Sequence, residues 1–297
     1  MKLVTIVQDG KQALGVKTDA GIIDIAAALS VQPAAGQVAQ DVMAVIEGGQ
    51  EAVAALQAYV DSLPADNAAY VLDEEKIEWG PCVTRPNKII CVGLNYRKHA
   101  EETNSPIPEY PILFNKFNNT LTGHKADVAV PKVTEKLDYE AELVIVVGKD
   151  AKYVSKENAL DYVFGYAAVN DLSARDLQLR TQQWLLGKTC DDFSPLGPYL
   201  VTADEVGNPN DLVIKSIVNG EVRQNSNTSD MIFHCDEIVS YISQHMTLVP
   251  GDIILTGTPE GVVMGYPPEK QVYLQPGDVV TIEIEKLGSL TNRFVAE

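Results

Sequence analysis

Apolar and polar side chains alternate with period two from Leu137 to Val147. Tyr139, Ala141, Leu143, Ile145 and Val147 hold one set of positions; Asp138, Glu140, Glu142, Val144 and Val146 hold the other. Strand side chains point to opposite faces in turn, so this stretch predicts a strand whose acidic start runs into a segment buried on both faces. Other apolar runs predict strands over 88–93, 111–115, 162–169, 198–201, 211–219, 252–256 and 279–285. Helical spacing predicts helices over 96–103, 155–161, 174–185 and 235–245. Asn219-Gly220 signals a hairpin, and Pro250-Gly-Asp252 and Pro276-Gly-Asp278 are matching turns that each feed a strand.

The beginning of the chain reads differently. Leu3–Val7, Ala13–Thr18 and Ile22–Asp24 predict short strands with a turn at Asp9-Gly10, and residues 37–62 are Ala-rich and helical in period with a break at Gly48-Gly49. Pro and polar residues then gather at Lys76–Pro81 and Thr84–Asn87. The expected division is a small N-terminal α+β domain over 1–75 and a main domain over 76–297. Strands do not alternate regularly with helices, so the expected class is α+β, mainly β, rather than a doubly wound parallel sheet.

A net charge of −18 argues against nucleic acid and against an anionic membrane surface as partners. An anionic small molecule stays possible, because a metal and a few cations can invert the potential inside one cleft. The four cysteines are scattered with no C-x-x-C, and Cys91 and Cys235 sit in apolar runs and read as small buried hydrophobes. The start of the chain is too short and too polar for a signal peptide, and no apolar run approaches the ~18–20 residues of a membrane span, so the expected location is cytoplasmic.

Glu140 and Glu142 share a face roughly 6–7 Å apart along the strand. Two carboxylates held there repel each other unless something positive lies between them, and a hard divalent cation answers that need; a solvated acidic strand edge is the other reading. Asp171 follows the apolar run 162–169. Ser173 with Asp176 resembles a capping box for the next helix, which leaves Asp171 free at a strand end. Three oxygen ligands suit Mg²⁺ or Mn²⁺; zinc is disfavoured because no His or Cys lies nearby in sequence. His99 and Glu102 fall on one face of a helix, as a general base with its orienting carboxylate or as an ordinary surface pair. Lys188 lies in a polar, turn-rich segment, as an oxyanion stabiliser or a solvated lysine. The loop Thr256–Gly261 offers hydroxyls and amides to a carboxylate, or is a plain turn, and the loop from Thr103 to Tyr110 is a lid or a connection. His124, His234 and His245 lack a partner pattern and read as structural.

In order along the chain stand Gly93-x-Asn95-Tyr96-x-x-His99-x-x-Glu102, Phe114-x-Lys116, Asp138-Tyr139-Glu140-x-Glu142-Leu143, Gly165-Tyr166, Asn170-Asp171-x-Ser173-Ala174-Arg175-Asp176, Gly187-Lys188, Gly197-Pro198, Asn219-Gly220, Asp230-Met231-Ile232-Phe233, Gly251-Asp252, Thr256-Gly257-Thr258-Pro259-x-Gly261 and Gly277-Asp278. This series, over residues 85–297, resembles the fumarylacetoacetate hydrolase family. The resemblance implies a mixed β-roll main domain, a homodimer, and Mg²⁺ or Mn²⁺ held by Glu140, Glu142 and Asp171. It implies a catalytic dyad at His99 and Glu102. It places Arg175, Gln178, Lys188 and Thr258 at substrate-contacting positions, with Lys116 as a further one. One departure is Gly261-Val262-Val263 where members read Gly-Val-Gly, so Val263 is expected to crowd a turn. The implied activity is C–C cleavage of a small 2-oxo acid, by hydrolysis of a 3-acylpyruvate or decarboxylation of oxaloacetate, through a metal-stabilised enolate. The alternative is an isomerase or hydratase of 2-oxo-dienoates, such as 2-hydroxyhepta-2,4-diene-1,7-dioate; a third reading is a non-catalytic scaffold. The dyad favours cleavage.

Overall fold

The computed structural model describes residues 1–297. Its largest element is a 12-stranded sheet whose main path runs Val71–Leu72, Gly21–Asp24, Lys11–Thr18, Lys2–Gln8, Ser194–Thr202, Val163–Asn170, Ala141–Val147, Ile253–Leu255, Ile89–Gly93, Ile112–Lys116. Most neighbours are antiparallel, but Ile253–Leu255 runs parallel to Ile89–Gly93. A second sheet of five strands contains Glu221–Asn227, Val213–Val218, Val279–Ile284, Gly288–Ala296 and Asp127–Val130. The fold is therefore strand-rich α+β, as the sequence pattern predicts, and its sheets are mixed and open. No helix is long and apolar enough to cross a membrane.

The strand Ala141–Val147 lies between Val163–Asn170 and Ile253–Leu255 and is buried along its whole length. Its two faces enter different cores. Ala141, Leu143, Ile145 and Val147 pack in the larger one, Val144 and Val146 in the other. The N-terminal strands continue the same sheet, with Leu3 opposite Leu200, and the second core joins Leu3, Leu14 and Val16 to Val144, Val146 and Leu255.

Several elements differ from their expected form. The ladder is interrupted at Tyr139 and Glu140, so the expected single strand is Leu137–Asp138 followed by Ala141–Val147. The expected helix over 174–185 is two single turns, Arg175–Gln178 and Leu185–Lys188. Ser173 does not cap it. Ser173 is held in a ladder opposite Asp138 and its hydroxyl donates to the Asp171 carbonyl, while Asp176 accepts from the Thr134 hydroxyl and the Glu135 amide. The segment 155–161 is a 3₁₀ helix, Lys156–Tyr162. The long N-terminal helix is Val42–Asp61, capped by Asp41 and kinked at Gly49 beside the expected break. Asn219-Gly220 turns the hairpin between Val213–Val218 and Glu221–Asn227. The strand Gly288–Ala296 went unforeseen because one of its inward positions is Asn292, whose amide donates to the Gly123 and Ala126 carbonyls instead of packing as a hydrophobe.

Candidate metal centre and active site

Strand pairing assembles the acidic group. Ala141 lies opposite Asn170, which brings the start of one buried strand beside the end of the next. Glu140 then donates its amide to the Asn170 side chain (3.0 Å), and the Asp171 amide donates to the Glu140 carbonyl (2.9 Å). Carboxylate oxygens of Glu140, Glu142 and Asp171 all lie within 4.8 Å of one another, and all three residues are buried. The solvated-edge reading of the Glu-x-Glu pair is therefore excluded.

Three buried cations surround the triad. Lys188 Nζ donates to Glu140 Oε2 at 2.7 Å and Asp171 Oδ2 at 2.8 Å. Arg175 reaches Asp138 through Nε and Glu140 through Nη2, both at 2.8 Å. Lys116 Nζ pairs with Asp171 and donates to the Phe193 carbonyl at 2.6 Å. Glu142 differs: it accepts from the Gly257 amide at 2.8 Å, and no lysine or arginine pairs with it. Burial raises the Glu140 carboxyl, but Lys188 and Arg175 outweigh that and hold it well below the usual range. Burial, with Asp171 and Glu140 close by, pushes Glu142 well above it. Burial works against the Lys188 charge too, but Asp171 and Glu140 keep that ammonium charged.

Asp138, Glu140, Glu142 and Asp171 carry four negative charges against three positive ones from Lys116, Arg175 and Lys188, an excess of one when all are ionised. The donor set is all oxygen, with no His or Cys in the group. These features fit a hard divalent cation: Glu142 is a buried carboxylate lacking a positive partner, and such an ion supplies it. It also turns the local balance from one negative to one positive charge, which suits an anionic substrate.

His99 is 4% exposed, so it does not form a surface pair. Its Nδ1 lies 2.8 Å from Glu102 Oε1, and Glu102 Oε2 accepts from the Gly261 amide at 3.0 Å. Gly265 lets this carboxylate in, because a Cβ there would lie 2.4–2.7 Å from it. A cavity of about 200 Å³ brings His99 together with Glu140, Glu142, Arg175, Gln178, Lys188 and Thr258. The two short turns at 175–178 and 185–188 meet closely at Gly187, where a Cβ would strike the Gln178 backbone at 2.4 Å; this contact places Lys188 beside Arg175 and Gln178.

Lys116 does not line that cavity. It sits behind Asp171 as a charge partner and lines a separate cavity of about 390 Å³. The Thr258 hydroxyl is already committed, donating to the Ala141 carbonyl and accepting from Gln224 Nε2. Val263 does not crowd its turn: it begins a short 3₁₀ segment without positive φ, and its amide donates to Asp138 at 2.9 Å.

Three supporting residues had no assigned role in the sequence reading. Asp138 binds Arg175 and the amides of Val263 and Met264. Gln224, from the other sheet, braces Thr258, the Pro259 carbonyl and the Ala141 amide. The Asn95 side chain joins Phe233 to the Thr256 carbonyl. Asp138 and Asn95 lay inside recognised motifs; Gln224 carried no local signal, because its partners come from distant segments.

Residues 88–295 match the family described as fumarylacetoacetate (FAA) hydrolase C-terminal. Over 233 residues the chain is 45% identical to oxaloacetate tautomerase fahd2, mitochondrial, of Xenopus laevis, a match covering 77% of this chain and 72% of that protein. The name of that relative places it in mitochondria, so it lends no support to the cytoplasmic expectation. Among solved structures, fumarylacetoacetate hydrolase from psychrophilic Exiguobacterium antarcticum superposes with a TM-score of 0.83 at 34% identity, covering 100% of both chains. Maleylpyruvate hydrolase from Sphingobium sp. SYK-6, in complex with manganese(II) ion and pyruvate, gives a TM-score of 0.80 at 31% identity, covering 100% of this chain and 99% of that one.

Proposed function

The chain belongs to the fumarylacetoacetate hydrolase family, and from that premise we propose that it is an enzyme that enolises small 2-oxo acids of the oxaloacetate class with Mg²⁺ or Mn²⁺ at Glu140, Glu142 and Asp171. The observation that carries this reading is a single cavity lined by two members of the buried oxygen triad, Glu140 and Glu142, and by an imidazole oriented by a carboxylate. The ion, when bound, supplies Lewis acidity for the carboxylate and keto oxygens of such an acid.

The chain's own residues move the proton. Glu102 accepts the Nδ1–H of His99, which leaves Nε2 unprotonated and able to take a proton from C3 of the acid. The same nitrogen returns the proton to the oxygen or to the carbon, which completes a keto–enol exchange. Lys188, kept charged by Asp171 and Glu140, stabilises negative charge that develops on the keto oxygen. Arg175 is ion-paired with Asp138 and Glu140, so it fixes Glu140 and orients Gln178, whose Oε1 accepts from Nη1 at 3.0 Å.

Proton transfer alone accords with the oxaloacetate tautomerase relative. Cleavage of the C3–C4 bond is a second reading, supported by the likeness to maleylpyruvate hydrolase. It draws on the same electron sink: His99 with Glu102 activates water against a 3-acylpyruvate, whereas oxaloacetate loses CO₂ without water. Isomerisation of a 2-oxo-dienoate needs the same base to move a proton along a longer conjugated chain. A homodimer is also proposed. The strand Ile112–Lys116 ends the large sheet with Ile112 and Phe117 exposed, an edge that a second copy would cover.

Oxaloacetate given to metal-stripped protein with Mg²⁺ or Mn²⁺ restored, beside a Glu142→Ala control, separates these reactions. Faster loss of the enol absorbance without pyruvate formation supports tautomerisation. Pyruvate formation, or loss of acetylpyruvate in a parallel assay, supports cleavage. Protein that binds the metal and does none of these refutes both.

A further inference from the structure

The charged side of the cavity is accounted for above; its apolar side is not. Val92, Leu94, Phe114, Leu179, Trp184 and Met264 form it. Trp184 stands four residues before Lys188, at the start of the same short turn, where its carbonyl accepts from the Gly187 amide at 3.0 Å. Its indole meets the Phe114 ring edge-on, with centroids 5.3 Å apart and planes at 69°. The Lys188 ammonium lies 5.1 Å from the centre of that same Phe114 ring. One turn of chain thus supplies both the cation at the carboxylates and the largest apolar side chain of the cavity wall.

Gly93 makes this arrangement possible. A Cβ at that position would lie 2.5 Å from Trp184 Cζ3 and 2.9 Å from Cη2. Gly93 has no positive φ, so its backbone does not call for glycine; the indole does. The space left is about 200 Å³, below the ~300–1,000 Å³ typical of sites for drug-sized ligands. That volume suits a small 2-oxo acid, and the indole bounds its apolar side.

We propose that Trp184 is the specificity-determining residue of this site, limiting it to 2-oxo acids with a small C3 substituent. The substrate class rests on the function proposed above, but the role of the indole as a wall does not. Replacing the indole by a methyl group frees space next to Phe114, where a phenyl ring can stack. The ratio of kcat/KM for phenylpyruvate tautomerisation to that for oxaloacetate should rise at least about tenfold in Trp184→Ala, since roughly 1.4 kcal/mol of apolar contact suffices for that change. Trp184→Phe, which keeps a shorter aromatic wall, should raise it by less. An unchanged ratio in variants that melt normally and bind Mg²⁺ overturns the proposal.

A second readout needs no turnover. Trp79, the other tryptophan, packs against His124 and Tyr199, outside the cavity. In Trp79→Phe the emission therefore reports Trp184 alone. Saturable change in that emission as oxalate is added to the Mg²⁺-loaded protein supports the wall. No change, while calorimetry records oxalate binding, overturns it. Oxalate-dependent emission in Trp79→Phe, in a protein that leaves oxaloacetate untouched, would refute the proposed reaction yet keep Trp184 in the occupied cavity.

Discussion

Two buried carboxylates on neighbouring strands have opposite surroundings. Asp252, fully buried at the foot of Ile253–Leu255, accepts from the Lys88 amide (2.9 Å), the Lys88 ammonium (2.8 Å) and the Val249 amide (2.9 Å). Glu142, 2% exposed on the adjacent strand, accepts from one amide and faces two further carboxylates. Asp252 is a structural joint in which each donor meets an acceptor, and its removal should cost stability. Burial and two neighbouring carboxylates oppose a charge on Glu142, and its removal should cost function. A buried acid left short of partners points to a ligand that the fold itself does not contain.

The strongest way to break this comparison is Glu142→Gln. Kcat/KM for oxaloacetate should fall on the order of 10³-fold or more, since loss of an outer partner alone costs about 10–100-fold at metal sites. Mn²⁺ affinity measured by calorimetry should fall with it. Denaturation of the metal-free variant should show equal or greater stability, because a like-charge contact has gone. A variant that binds Mn²⁺ normally would remove the functional half of the contrast. His99→Asn should lower kcat by roughly 10²–10⁴-fold and leave Mn²⁺ binding intact, which separates proton transfer from metal holding.

The structural half is tested by Asp252→Ala. It strips the partner from two amides and a lysine, and urea unfolding should show a loss of about 3 kcal/mol. Residual activity per folded molecule should stay near that of the parent chain.

The smallest effect concerns His124, a half-buried polar group of the structural kind. Its Nδ1 accepts from the Thr291 amide at 3.0 Å, and its ring meets Trp79 edge-on. Burial, aided by the Lys125 charge, lowers its pKa from 6.5 to about 4. The unfolded chain therefore binds the proton more readily between those values. The contribution is full above pH 6.5 and is lost as pH falls towards 4, amounting to about 2 kcal/mol after allowance for solvent screening at this part-exposed ring. Stability curves for the parent chain and His124→Gln should converge over that interval. Parallel curves would show that the ring is not held neutral by the fold.

Much of the site was legible before any coordinates. Period-two alternation placed Glu140 and Glu142 on one face, and burial on both faces beyond them is what the two cores show. The H-x-x-E spacing brought His99 onto Glu102 because both lie within one short helix, Arg97–Glu102. Other elements resisted. Helical spacing over 174–185 was real, but the close approach at Gly187 and the ladder at Ser173 divided the segment. Lys116 was placed at the substrate, yet its strand directs it to the back of Asp171. Gln224 and Asn292 carry no local signal, because the carbonyls that fix them come from distant segments.

By itself, the sequence determined most of the strands, their turns and the pairing of Glu140 with Glu142, because alternation and turn chemistry act over a few neighbouring residues. The tertiary structure decided which buried charges are satisfied and which are not. That balance depends on partners brought together by strand pairing, as when the Ala141–Asn170 register sets Asp171 beside Glu140 and leaves Glu142 without a cation. In a medium of low dielectric, this pairing separates an acid that holds the fold from one that awaits a metal.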